Sequence, residues 1–219
     1  MHVCRSYKKM QSLPVIIVLA AGQGSRFVGA AHKLTQDLGA GTVLGQTIGH
    51  AIASRLPVVV VTAQPLAAEA ERWVARRDVV VLPEAGCAGA RPLGMGYSIA
   101  AGVAARPHAG GWLVLPGDMP MVQPASLKRV AELLSQYVVV YAQHRGRRGH
   151  PVAFAAELFS ELVLLTGDEG ARRLLARYPS HGLELDDPGV LLDVDTTEDL
   201  SRVRTRLRAA LPATNPTQT

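Results

Sequence analysis

Apolar residues in this chain come as short unbroken runs, separated by longer stretches in which they recur at helical spacing. Val15-Ile16-Ile17-Val18-Leu19-Ala20 lies between Pro14 and Gly22 and is mostly β-branched. A run of that kind predicts a strand buried on both faces. Similar runs predict strands over Val58–Thr62, Val79–Leu82, Trp112–Leu115, Val138–Ala142, Val152–Phe154 and Leu191–Val194. Between them, spacings of three and four residues predict helices over Val43–Arg55, Leu66–Arg76, Met95–Arg106, Gln123–Ser135, Leu158–Leu165, Gly170–Tyr178 and Thr196–Leu211. The ends of these segments agree with the reading. Pro124 falls in a first turn, and Thr196 is an N-cap followed by Glu198 and Asp199. Glu69 and Glu71 precede Arg76 and Arg77, the order that the helix dipole favours.

Strands alternating with helices imply right-handed βαβ crossovers. The expected fold is a three-layer α/β/α sandwich with a mostly parallel, Rossmann-like sheet. Ligands of such sheets bind beyond the carboxyl ends of the strands. The loops after Ala20, Leu82, Leu115 and Leu192 are therefore where functional residues are expected.

The chain has 219 residues, 48% of them hydrophobic, enough for one well-buried core. No Pro/Ser-rich or charge-rich linker divides it, so residues 14–211 are expected to form a single domain. Residues 1–13 read as a disordered leader and 212–219 as a disordered tail. Arg5, Lys8 and Lys9 ahead of Leu13–Ala21 imitate a signal peptide, but the apolar run is short and breaks into Gly22-Gln23-Gly24-Ser25-Arg26. No segment approaches membrane-spanning length. The two cysteines, Cys4 and Cys87, form no metal or disulfide pattern, which suits a reducing cytoplasm. The net charge of +5 suits a protein that handles polyphosphate anions. Nucleic acid is a weaker reading, because aromatics are only 5% and no basic run interleaves with them.

Four segments carry chemistry. After the first strand, Gly22 and Gly24 can wrap backbone N–H groups around phosphates, with Arg26 and Lys33 adding charge. The loop lacks the Gly-Lys-Ser/Thr of a Walker A motif, and Phe27 stands where a dinucleotide fingerprint has its third glycine. Gly94-Met95-Gly96-Tyr97-Ser98 opens a helix with small residues that let a ligand approach the backbone; it is otherwise a tight loop capped by Ser98. Asp118, in Leu115-Pro116-Gly117-Asp118-Met119-Pro120, follows a buried strand directly, where hard cations meet phosphates; the plainer reading is a cap for the next turn. Asp193 and Asp195 in Leu192-Asp193-Val194-Asp195-Thr196 share one face of the expected strand, so either can join Asp118 at a metal, while Asp195 can equally cap the last helix.

Together these segments resemble a known family. Leu19-Ala20-Ala21-Gly22-x-Gly24-x-Arg26-Phe27 with Lys33 resembles the signature of nucleotidyltransferases with a MobA-like NTP transferase domain, the molybdenum cofactor cytidylyltransferases above all. The resemblance covers roughly residues 14–210 and includes Gly94-Met95-Gly96-x-Ser98, Gly117-Asp118-x-Pro120, Gly149-His150-Pro151-Val152 and Asp193-Val194-Asp195-Thr196. One departure is clear. Val28 and Gly29-Ala30-Ala31-His32 lengthen the stretch before Lys33; His32 reads as a surface residue.

The resemblance implies a fold of the GT-A-like nucleotidyltransferase type. It implies a nucleotide-binding half, about 14–120, and an acceptor half, about 121–211. Leu19, Ala20, Ala21, Gly22, Gly24, Gly94, Gly96 and Ser98 would contact the nucleotide, with Arg26 and Lys33 on its phosphates. Asp118 and Asp193 would hold Mg²⁺. The implied reaction moves CMP from CTP to a phosphorylated acceptor, with molybdopterin cofactor as the expected acceptor and pyrophosphate as product. A molybdoenzyme or its maturation chaperone would be the protein partner. Sugar phosphates and methylerythritol phosphate are alternative acceptors, and a non-catalytic nucleotide-binding module is an alternative of another class. His150, Arg147 in the basic stretch 145–148, and Arg172 after Asp168 are candidates for the acceptor side.

Overall fold

The computed structural model describes residues 12–22, 27, 31–83 and 94–210. Among them, seven strands form one sheet in the order β3-β2-β1-β4-β6-β5-β7. They are β1 Val15–Ala20, β2 Val58–Ala63, β3 Val79–Leu82, β4 Gly111–Pro116, β5 Val139–His144, β6 Arg147–Ala155 and β7 Ser180–Glu184. β1 lies between β2 and β4, parallel to both. β6 runs antiparallel to β4 and β5, and β7 returns parallel to β5. The helices are α1 Val43–Ala53, α2 Ala67–Glu71, α3 Gly94–Ala104, α4 Pro124–Glu132, α5 Phe159–Leu162, α6 Arg172–Arg177 and α7 Thr197–Ala210.

Alternation along the strands sorts side chains into two cores, one on each face. Ile16, Val18, Val60, Leu113 and Leu115 pack with Leu44 and Ile48 of α1, Leu127 of α4, and Leu200 and Val203 of α7. Ile17, Val59, Val61, Trp112 and Val114 pack with Ile99 and Val103 of α3, Leu162 of α5 and Leu174 of α6. This is the expected three-layer sandwich. Gly102 lets α3 approach the sheet closely, since a Cβ there would stand 2.5 Å from Ile17 Cγ2.

Several elements differ from expectation. Residues 191–194 form no strand. Pro188–Leu191 is a 3-10 turn, and the chain then runs on without sheet partners into α7. β7 was not expected, because Ser180-His181-Gly182-Leu183-Glu184 lacks an apolar run; its position at the sheet edge explains why it needs none. The stretch 145–148 is a hairpin. Arg145 (φ 51°) and Gly146 (φ 71°) make its two-residue turn, and Arg147 and Arg148 begin β6. The expected helix 66–76 is a 3-10 turn followed by the short α2. Leu13, expected in the leader, accepts a hydrogen bond from Gly110 N–H at 3.1 Å.

Candidate active site

β4 ends at Pro116, and the chain turns at once. Gly117 N–H donates to the Leu19 carbonyl of β1 at 2.8 Å, and a Cβ at Gly117 would lie 2.9 Å from that oxygen. The buried Thr47 hydroxyl of α1 donates to the Gly117 carbonyl at 3.0 Å. These bonds brace Asp118 just beyond the carboxyl ends of β1 and β4. Val194 N–H donates to the Asp118 backbone carbonyl at 2.9 Å, which brings the stretch 193–195 alongside. Sequence spacing placed Asp193 and Asp195 together through strand alternation; the structure does it through this single backbone bond.

Lys33 closes the group. Its ammonium donates to Asp118 Oδ2 at 2.5 Å and to Asp195 Oδ1 at 2.7 Å, with all three side chains less than one-fifth exposed. Burial works against the lysine charge, but Asp118 and then Asp195 outweigh it and hold the pKa above its ordinary value. Lys33 is therefore a firm ammonium. Asp118 Oδ1 is buried and has no hydrogen-bond partner among the described residues. Asp193 sits close by: burial, then repulsion from Asp195 and Asp118, raises its pKa.

Lys33 is positioned by a residue that the sequence reading set aside. His32 Nδ1 accepts from Leu34 N–H at 3.2 Å, which makes it the unprotonated nitrogen; Nε2–H then donates to the Gly22 carbonyl at 3.0 Å. His32 thus ties the end of the first loop to the 3-10 turn Lys33–Thr35. No motif announces this role, because it depends on a bond across ten residues. Gln23, Gly24, Ser25, Arg26 and Val28–Ala30 lie outside the described residues, as do Cys87, residues 1–11 with Cys4, and residues 211–219.

Leu19, Ala20, Ala21 and Gly22 lie at and just beyond the end of β1. Gly94, Gly96 and Ser98 form the first turn of α3. Ser98 donates to the Gly94 carbonyl at 3.3 Å, and Gly96 N–H donates to the Gly167 carbonyl at 2.8 Å. The stretch 166–168 thus packs on the start of α3, so close that a Cβ on Gly94 would meet Gly167 at 2.3 Å. Asp168 lies in that contact, whereas Arg172 begins α6.

His150 lies on β6. Burial lowers its pKa, although Asp118 and a hydrogen bond to Val114 oppose this, so the imidazole is neutral near pH 7. Its Nδ1 is buried without a partner among the described residues. Arg147 is exposed, and the Arg148 guanidinium stacks 4.4 Å from the Tyr141 ring.

Among the described residues, no three His, Cys, Asp or Glu side chains converge as a metal cage. The residues do fit a hard cation that shares its shell with phosphates. Magnesium is commonly held by one or two carboxylates, with substrate oxygens and water completing the octahedron. The orphaned Oδ1 of Asp118 and the crowded carboxylate of Asp193 are of that kind.

A sequence profile for the MobA-like NTP transferase domain matches residues 16–182. The chain belongs to the MobA-like NTP transferase family. It is a nucleotidyltransferase by that membership, and its substrates are an NTP and an acceptor. The purine catabolism protein PucB of Bacillus subtilis is 29% identical over 203 residues, covering 86% of this chain and 94% of PucB. The crystal structure of Rv0371c from Mycobacterium tuberculosis superposes with a TM-score of 0.73 at 30% identity, over 89% of this chain and 98% of that one. A manganese complex of Rv0371c superposes at 0.70 with 28% identity, over 89% and 99% of the two chains. Among the described residues no helix is long and apolar enough to cross a membrane.

Proposed function

We propose that this protein transfers CMP from CTP to a phosphorylated acceptor of the molybdopterin class, with Mg²⁺ as its metal. The observation that carries the reading is Asp118: a braced carboxylate at the carboxyl edge of the sheet, with one buried oxygen left unpartnered. A phosphate oxygen of the acceptor attacks the α-phosphorus in line. The bond from that phosphorus to its bridging oxygen breaks, and pyrophosphate leaves. Asp118 and Asp193 hold the metal, which supplies charge neutralisation at the phosphates. Arg26 and Lys33 stabilise the β- and γ-phosphates of the leaving group. Gly22, Gly24, Gly94, Gly96 and Ser98 line the nucleotide. The acceptor phosphate is already anionic, so His150 positions it rather than removing a proton. Arg147 and Arg172 supply positive charge on that side.

Residues 14–120 would form the nucleotide half and 121–211 the acceptor half of one domain. The molybdopterin acceptor is supported by the resemblance of the Gly149-His150-Pro151-Val152 segment, and a molybdoenzyme or its chaperone would receive the product. Two cysteines without a disulfide pattern suit a cytoplasmic site of action.

The preference for CTP rests on Ala21. A methyl group where guanylyl-transferring relatives carry glycine leaves less room for a purine. A single pocket contact of this kind discriminates by about 1–3 kcal/mol. The test is a panel of NTPs against phosphorylated acceptors, read as pyrophosphate release. CTP with molybdopterin should give the highest kcat/KM, and equal turnover with GTP refutes the base assignment. Saturable binding of NTP and metal without pyrophosphate from any acceptor would instead mark a nucleotide sensor.

A further inference from the structure

Lys33 is asked to do two things that one ammonium cannot do at once. In the structure it bridges Asp118 and Asp195, at 2.5 and 2.7 Å. In the proposed reaction it lies on the nucleotide phosphates, and Asp118 serves a metal. The two arrangements compete, because a divalent cation at Asp118 Oδ1 would lie beside the ammonium already on Oδ2 of the same carboxylate, and like charges so close repel.

We propose that Lys33 is a resident counter-ion that makes metal binding conditional on nucleotide. Without nucleotide the ammonium neutralises Asp118 and Asp195, and a free divalent cation must displace a positive charge to enter. An arriving triphosphate offers Lys33 a denser set of anionic oxygens. The lysine moves to the phosphates, Asp118 is released, and the metal that accompanies the nucleotide takes its place. Charge is conserved in the exchange: the carboxylates trade an ammonium for a divalent ion, and the phosphates gain the ammonium. Asp195 then acts as a positioning residue that holds Lys33 between cycles. The short side of the switch is already built. His32 fastens the turn carrying Lys33 to Gly22, so the ammonium has only its own flexible stem to reorient.

This inference rests on the proposed roles of Asp118 and Lys33, and the experiment separates the two. Mn²⁺ is titrated into the full-length protein, and the free aqua-ion is followed by electron paramagnetic resonance, with and without CTP and with no acceptor present. The CTP arm is read as the loss of signal beyond that of the same Mn²⁺ and CTP without protein, because the triphosphate itself chelates the ion. Wild type should bind Mn²⁺ weakly alone and much more tightly with CTP. Lys33→Met and Lys33→Gln should bind Mn²⁺ without CTP about tenfold or more tightly than wild type, the scale of one displaced charge-assisted hydrogen bond. Adding Asp118→Asn to Lys33→Met should abolish that gain. If both lysine variants bind Mn²⁺ no better than wild type while wild type still gains affinity with CTP, the counter-ion role is overturned and the metal reading stands. If wild type gains nothing with CTP, the metal reading itself fails and takes the proposal with it.

A measurement on the unaltered protein guards against variants that do not fold. Lysines occur only at positions 8, 9, 33 and 128, so the Lys33 side-chain ¹⁵N resonance can be assigned. It should stay in place when Mg²⁺ is added alone and shift when Mg²⁺ and CTP are added together. A shift with Mg²⁺ alone, or none with both, overturns the exchange.

Discussion

The two acidic segments of the site are built very differently. The Asp118 turn is braced from three directions: Gly117 N–H on Leu19, Thr47 on the Gly117 carbonyl, and Val194 N–H on the Asp118 carbonyl. Pro116 and Pro120 stiffen its two ends. The stretch from Asp193 to Asp195 belongs to no strand. It is held by the Val194 bond on one side and on the other by the cap of α7, where Thr196 and Asp199 bond each other reciprocally. The braced turn also carries the unpartnered buried oxygen, whereas Asp195 is engaged by Lys33. A turn fixed by hydrogen bonds to its backbone on three sides thus faces a segment that only its two ends and the buried Val194 hold in place.

The strongest way to break this contrast is Asp118→Asn. It preserves size but removes the anion, and metal stabilisation of phosphate charge contributes several kcal/mol, so kcat should fall on the order of a thousandfold. The thermal melt should move little, because Lys33 keeps Asp195 and the repulsion felt by Asp193 is relieved. A collapse of the melt with an ordinary kcat in the remaining folded enzyme would make Asp118 a structural cap instead.

Asp193→Asn probes the side that belongs to no strand. An amide oxygen still ligates, and the segment can shift to bring it into place, so kcat should fall roughly tenfold to a hundredfold, about 1.4 to 2.8 kcal/mol. Saturating Mn²⁺ should recover part of that loss. A loss as deep as that of Asp118→Asn, with no recovery, would show that the two carboxylates are equally preorganised.

Thr196→Ala is the mildest cut. It removes the hydroxyl that accepts from Asp199 N–H, and a lost N-cap costs about 1 kcal/mol. The melting temperature should drop by a few degrees, with KM for metal–nucleotide rising less than threefold and kcat retained. A large drop in kcat would mean that the α7 cap, and not the Val194 bond, sets the position of Asp193.

Much of this molecule can be read one residue at a time. The apolar runs of β1, β2 and β4 are buried on both faces, so each announces itself without reference to any partner, and the residues that follow them inherit the site by topology alone. Gly22 and Asp118 stand out as candidates for that reason, whereas Asp193 and Asp195 follow no strand and stand out only by residue type. Edge strand β7 was not, because half of its backbone and much of its side-chain surface face water, which removes the apolar signal. The hairpin at 145–148 is not announced by the sequence either, because Arg145 adopts a left-handed conformation that its residue type does not advertise.

What the sequence by itself determined is the layered α/β architecture and a short list of candidate side chains for the site. Both follow from local periodicity and from residue type. Only the tertiary structure decided how those side chains meet. It tied Lys33 to Gly22 through His32, and it set Lys33 between Asp118 and Asp195 rather than leaving it free in solvent. It drew residues 193–195 to Asp118 through a backbone bond where periodicity suggested a strand. Contacts between residues 85 and 162 positions apart depend on chain closure and on the competition of partly buried charges for partners, and neither quantity is encoded in any local window.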